Sequence, residues 1–305
     1  MFIHICGGFF MKNTIFKGCG VATVTPMRDD GSVNLKKYAD FIDELIQKGA
    51  DAIIVNGTTG ESATLSDEEQ YNIICCAKDV INHRVPLIAG AGSNNTNHAA
   101  KLALNARNAG ADAILSVTPY YNKANDSGLI EHYTFITKWC QLPTIVYNVP
   151  SRTGMNIKPE TYAVLAENPF ICGIKEASGN LANAERTMSL CGDKIDIYCV
   201  SDELTLPFLS IGAKGVISVA ANIVPEEIEK LCTLFFDGKS IEAAAKQIEL
   251  IPLIDAFFSD INPIPIKESL NMIYGDFGPC RLPLGEMENV KKEKLKNILK
   301  SYKLL

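Results

Sequence analysis

Histidine and tryptophan are scarce in this chain, with four and one among 305 residues, and His4, His83, His98 and His132 match no metal-ligand spacing. The ten cysteines are scattered; Cys75 and Cys76 are adjacent, but no C-x-x-C occurs, so neither a zinc site nor a redox dithiol is indicated. A metal-free mechanism is the expectation that follows. No apolar run approaches the ~18 residues of a membrane span. A net charge of −6, without a basic stripe, leaves nucleic acid an unexpected partner. The expected compartment is the reducing cytoplasm.

What is present is a well-folded composition, 47% hydrophobic and 21% charged. Short β-branched apolar runs alternate with longer amphipathic segments. The runs cover residues 20–25, 52–56, 85–90, 113–118, 144–148, 171–175, 195–200 and 215–220, which makes eight. Helical periodicity fills the intervals, as at 35–48, 66–82, 96–109 and 180–191, several opened by Asn, Ser or Thr in N-cap position. Uniformly apolar strands separated by helices read as a parallel sheet covered on its faces. Eight such units predict an α/β chain folded as a (β/α)8 TIM barrel with a C-terminal helical region, a doubly wound sheet being the alternative. Residues 1–11 are expected to be a disordered N-terminal extension, 12–238 the barrel and 239–305 the helical region.

Lys175 stands in the apolar run Phe170-Ile-Cys-Gly-Ile-Lys-Glu-Ala-Ser178. Burial disfavours an ammonium and lowers its pKa, leaving an amine able to attack a carbonyl. Alone, Lys175 reads more simply as a core-edge lysine paired with Glu176. The barrel makes a demand that separates the two readings, because catalytic side chains belong at the C-terminal ends of the strands and in the loops beyond them. Asn56-Gly-Thr-Thr-Gly-Glu-Ser62 follows the second run, Thr118-Pro-Tyr-Tyr-Asn122 the fourth, and Tyr147-Asn-Val-Pro-Ser-Arg-Thr-Gly154 the fifth, while Lys175 closes the sixth. Each motif alone is ordinary loop chemistry; their convergence on one face favours a site.

These residue types support a narrow chemistry. A lysine amine condenses with a ketone to an iminium, which acidifies the adjacent carbon and yields an enamine nucleophile. Tyrosine moves protons when a hydroxyl neighbour relays them. Arginine offers a bidentate fork to a carboxylate, and amides of a glycine-rich turn offer a second anion pocket. The set describes an aldolase acting on α-keto acids.

Gly57-Thr-Thr-Gly-Glu-Ser62, Tyr147 to Gly154 and Gly173-Ile-Lys-Glu-Ala177, in this order and spacing, resemble the signatures of the 4-hydroxy-tetrahydrodipicolinate synthase family, formerly dihydrodipicolinate synthase. The likeness runs from about Gly18 to the Asn262-Pro-Ile-Pro-Ile-Lys267 segment. The resemblance implies a (β/α)8 barrel that condenses pyruvate with L-aspartate 4-semialdehyde, on the diaminopimelate route to lysine, without cofactor or metal. It implies that Lys175 forms the Schiff base, that Tyr147 donates and accepts protons beside it, and that Thr58 and Tyr121 complete a relay. In the family the second tyrosine comes from the neighbouring subunit, so a homo-oligomer is implied, a tetramer built as a dimer of dimers with Tyr121 crossing the tight interface. Thr59 and the backbone at Ile217 would hold the pyruvate carboxylate, and Arg152 that of the semialdehyde.

Two departures from the family pattern bear on function. Val200 stands where many members have glycine. At the lysine-effector site of inhibited members, Ser62, Ala63, Asn94 and Tyr120 fit the pattern, whereas Asp67, Gln70 and His98 replace two histidines and a glutamate, so feedback inhibition by lysine is expected to be weak or absent. A sister pyruvate-dependent aldolase, such as N-acetylneuraminate lyase or a 2-keto-3-deoxy sugar-acid aldolase, is the nearest alternative; the Thr58-Thr59 pair and Arg152 argue against it. Gly90-Ala-Gly92 faintly suggests a nucleotide-binding oxidoreductase, but a third glycine is missing at the required interval. A non-catalytic barrel would be expected to have lost Lys175 or Tyr147, and both are present.

Overall fold

Eight short strands, almost wholly buried, close on one another: β1 Gly18–Ala22, β2 Ala52–Val55, β3 Leu87–Gly90, β4 Ala113–Val117, β5 Thr144–Asn148, β6 Ile171–Glu176, β7 Asp196–Cys199 and β8 Gly215–Ser218. Each pairs in parallel with the next, and β8 pairs with β1, so the sheet is a closed barrel in a computed structural model that describes residues 14–305. The extension expected over residues 1–11 lies outside the described residues.

Side chains alternate across each strand, and both faces are buried, which is why the runs read as continuously apolar. Ile54, Ile88, Leu115, Ile145 and Ile217 fill the barrel interior, whereas Val21, Ile53, Val55, Ile114 and Val146 face the surrounding helices. Below the strands, at their N-terminal ends, the Phe16 ring stacks on Tyr198 with centroids 4.4 Å apart, and the Tyr198 hydroxyl donates to the Phe16 carbonyl at 3.0 Å. The bottom is therefore plugged, and the top is left for function.

The first strand begins and ends earlier than the sequence predicts. Gly18 and Cys19 are recruited by β8, while after Thr23, whose amide still donates to the Ile54 carbonyl of β2, the Val24 amide donates to Asn222 Oδ1 and the Thr25 hydroxyl to the Gly60 carbonyl, so residues 24 and 25 leave the ladder. Helix starts match their caps more closely. Ser66 closes a reciprocal capping box with Glu69 at the head of the helix Asp67–Ile81, and Asn180 caps Leu181–Cys191.

After β8 the chain is helical: Pro225–Phe236, Ser240–Phe257, Ile264–Tyr274 and Asn289–Ser301. The boundary expected between 238 and 239 falls in the turn joining the first two of these. Phe257, Leu270, Phe277, Leu295 and Leu299 belong to the same buried cluster as the outward-facing barrel residues, so these helices share the barrel's core. Among the described residues no helix is long and apolar enough to cross a membrane.

Candidate active site

Lys175 and Tyr147 are register partners on neighbouring strands, β6 and β5, near their C-terminal ends. Their side chains enter one cleft at the top of the barrel, with Lys175 Nζ 4.3 Å from the centroid of the Tyr147 ring. The lysine is only 4% exposed. Burial lowers its pKa to about 7; the Asp202 carboxylate opposes that shift and the Arg152 guanidinium adds to it. Burial raises the Tyr147 hydroxyl, against the charge of Arg152 and a hydrogen bond from Thr58, so the phenol is neutral and bonded to the proposed relay hydroxyl.

Glu176 is not the partner of Lys175. One residue further along β6 it faces the opposite side of the sheet, where its carboxylate accepts from Asn148 Nδ2 at 3.1 Å and from the Ser178 amide at 2.6 Å. The ion-pair alternative fails on the alternation of the strand.

A cleft of about 720 Å³ gathers Lys175 with Thr58, Thr59, Tyr147 and Arg152. Arg152 lies in the short helix Pro150–Thr153 that leaves β5, and its Nη2 donates to the Asn262 carbonyl at 3.2 Å. Asn262 Nδ2 donates in turn to Thr59 Oγ1 at 3.0 Å. One residue of the C-terminal segment thus joins the turn after β2 to the helix after β5. Asn262 Oδ1 is buried without a hydrogen-bond partner and lines the cleft, a free acceptor at a site of this kind.

The Thr58-Thr59 turn is held from three directions. Asn56 adopts a left-handed φ of 54°. Gly90 at the end of β3 lets that backbone come close, since a Cβ there would lie 1.9 Å from the Asn56 carbonyl oxygen. Gly90 and Gly92 are thus spacing residues between strands, which removes the nucleotide-binding suggestion. Beyond the turn, Glu61 is fully buried and paired with Lys267 Nζ at 2.7 Å, and its other oxygen accepts from the Arg281 amide at 2.8 Å.

Two expected residues stand apart. Tyr121 is 91% exposed, with a left-handed φ of 69°, and lines neither hollow of the chain described here. The Ile217 side chain is buried inside the barrel, so only its main chain is left to meet a ligand; Val219, two residues on, lines the cleft. Val200 also lines the cleft and is not among the residues of positive φ, so the backbone there does not require glycine.

A second hollow of about 420 Å³ shares Thr58, Tyr147, Arg152 and Asn262 with the first and takes in Ser62, Ala63, Asp67, Gln70, His98 and Tyr120. A carboxylate is present, on Asp67, but His98 Nε2 at 2.9 Å and Lys101 Nζ at 2.8 Å already bind it. Those bonds, Lys101 first, hold its pKa below the usual carboxylate range.

Sequence reasoning passed over Asn262, Asp202 and the Glu61–Lys267 pair as contributors to the site. Their signals were present as an Asn-Pro step, an Asp beyond β7, and a charged residue in each of two otherwise apolar or glycine-rich segments; their partners lie 16 to 206 residues away.

The model of the Dihydrodipicolinate synthetase family matches residues 15–302. A 4-hydroxy-tetrahydrodipicolinate synthase of Clostridium novyi is 46% identical over 289 residues, covering 95% of this chain and 97% of that protein. The solved dihydrodipicolinate synthase of Thermotoga maritima superposes with a TM-score of 0.92 at 37% identity, over 96% of this chain and 100% of that one. That of Cyanidioschyzon merolae, solved with lysine bound, gives 0.93 at 37% identity over the same shares. On this sequence and structural likeness, the chain belongs to the dihydrodipicolinate synthetase family.

Proposed function

We propose that this chain is a 4-hydroxy-tetrahydrodipicolinate synthase, a Schiff-base-forming lyase of the cytoplasm that condenses pyruvate with L-aspartate 4-semialdehyde. The observation that carries the reading is a buried lysine at the top of the barrel, its Nζ 4.3 Å from the ring centroid of a tyrosine whose hydroxyl is bonded to a threonine.

With a pKa of about 7, about half of the Lys175 amine is neutral at pH 7, against roughly one part in three thousand for a lysine near 10.5. The neutral amine adds to the pyruvate ketone, and loss of water gives the iminium. Removal of a methyl proton then yields the enamine, whose carbon attacks the aldehyde of the second substrate. Tyr147 and Thr58 carry the protons that these steps release and consume. Thr59 and the main chain at Ile217 hold the pyruvate carboxylate, and Arg152 receives the carboxylate of the semialdehyde.

Tyr121 completes the relay of a neighbouring subunit. Its exposure in the single chain is consistent with that role, and the assembly proposed is a dimer of dimers. The residues beyond 238 act as a helical region that supports the barrel and supplies Asn262.

The test is a comparison of aldehydes. Purified protein with pyruvate is expected to consume L-aspartate 4-semialdehyde and to leave N-acetylmannosamine untouched. Turnover of N-acetylmannosamine, without turnover of the semialdehyde, would move the chain to the sister aldolases.

A further inference from the structure

The carboxylate of Asp202 sits where three strands of the site meet. Lys175 is the register partner of Tyr198 on β7, and Cys199 at the end of β7 pairs with Val216 on β8. Three residues past β7, Asp202 is fully buried. Its Oδ1 accepts from the Ser218 hydroxyl at 2.5 Å, and its Oδ2 accepts from the amides of Val219 and Ala220 at 3.1 and 3.0 Å. Its own carbonyl accepts from the Thr205 hydroxyl and from Gln247 Nε2 of the helix Ser240–Phe257. Every oxygen of the residue is used within the protein, so Asp202 is not free to act as a base on substrate. What it holds is the chain leaving β8, where Val219 lines the same cleft as Lys175.

We propose that Asp202 is a positioning residue for the Schiff-base step: its carboxylate clamps the Ser218–Ala220 segment into the cleft wall, and its buried negative charge acts on the Lys175 amine. The inference rests on Lys175 being the nucleophile. Asp255 on the helix Ser240–Phe257 and Asp260 just beyond it line the cleft that holds Lys175. Toward Lys175 lie Tyr147, Arg152 and Asp202. Around Asp202 lie Glu203 beside it and the thiols of Cys19 on β1, Cys199 on β7 and Cys232 on the helix Pro225–Phe236. Burial raises all three thiols and the Tyr147 hydroxyl, so they are neutral at working pH. The charges are Arg152, which opposes protonation of the lysine, Asp202, which favours it, and Glu203, Asp255 and Asp260 along the cleft lining. Burial pushes the Asp202 carboxyl itself up to about 6, and its three donors, which bind the ionised form, oppose that shift.

Two variants separate the charge from the clamp. In Asp202→Asn the amide oxygen can still accept from Val219 and Ala220 and the amide nitrogen can donate to Ser218, so the shape survives and the charge is lost. Without that charge the ammonium is less favoured, and the acid limb of kcat/KM for pyruvate is expected to move to lower pH by about one unit. In Ser218→Ala the charge stays and one bond of the clamp goes. There kcat/KM for pyruvate is expected to fall about fivefold to tenfold with the limb in place. A purely structural Asp202 predicts no movement of the limb in Asp202→Asn, and that result would overturn the charge role. An unchanged kcat/KM in Ser218→Ala would overturn the clamp. Borohydride trapping of pyruvate by the unaltered protein keeps the two levels apart: no adduct on Lys175 refutes the reading beneath, whereas a normal adduct with an unmoved limb refutes this inference alone.

Discussion

Replacing Lys267 by methionine should destabilise the protein strongly and loosen the active-site turn. Glu61 and Lys267 have side chains 0% and 1% exposed and are 2.7 Å apart, with Lys267 Nζ also donating to the Pro279 carbonyl at 2.8 Å. Methionine fills much the same volume but leaves the Glu61 carboxylate buried with the Arg281 amide and the weakly donating Cys280 thiol. Removing one partner of a buried pair costs about 3–5 kcal/mol, because the surviving charge keeps its desolvation penalty. At about 2 °C per kcal/mol for a chain of this size, the melting temperature should drop by about 6–10 °C. Differential scanning calorimetry checks this, and the double variant Glu61→Gln with Lys267→Met should regain much of the loss. Glu61 directly follows Thr58-Thr59-Gly60, so the surviving fraction should also show a raised KM for pyruvate. A melting temperature within about 2 °C of the parent for Lys267→Met would refute the reasoning, since it would mean that the pair carries no unbalanced desolvation cost.

Arg152→Ala should raise KM for the semialdehyde by roughly ten to a hundredfold, with KM for pyruvate little changed, as expected for loss of charge-assisted hydrogen bonds worth about 1.5–3 kcal/mol; steady-state kinetics with each substrate varied separates the two. Tyr121→Phe and Lys175→Ala subunits, each inactive alone, should recover part of the activity when mixed under conditions of subunit exchange, and no recovery despite proven exchange would count against a relay that crosses subunits. Lysine should inhibit weakly or not at all: the Asp67 carboxylate in the second hollow is already bound by His98 and Lys101, and a clear inhibition curve at sub-millimolar lysine would contradict that.

The strands and most helix starts were legible because they depend on local pattern. β5 was predicted at its observed limits, and Ser66 and Asn180 announced the helices they cap. Lys175, Tyr147, Thr58, Thr59 and Arg152 were legible as well, since a barrel delivers the ends of its strands to one face. The start of β1 was not, because Gly18 and Cys19 are strand residues only by virtue of pairing with β8 some two hundred residues later. Asn262 and Lys267 were hidden for the same reason. An asparagine before proline and a lysine in an apolar helix reveal their partners only once the C-terminal segment lies over the barrel. At Asp67 the carboxylate was visible in the sequence, but not its partners His98 and Lys101, which lie 31 and 34 residues further on.

The central claim is that Lys175 is the nucleophile, and reduction with borohydride in the presence of pyruvate, followed by peptide mass spectrometry, tests it most directly. The account predicts one pyruvate-derived secondary amine per chain, on the peptide containing Lys175, and no incorporation in Lys175→Ala. An adduct on another lysine with Lys175 unmodified, or no adduct in an active preparation, would contradict it.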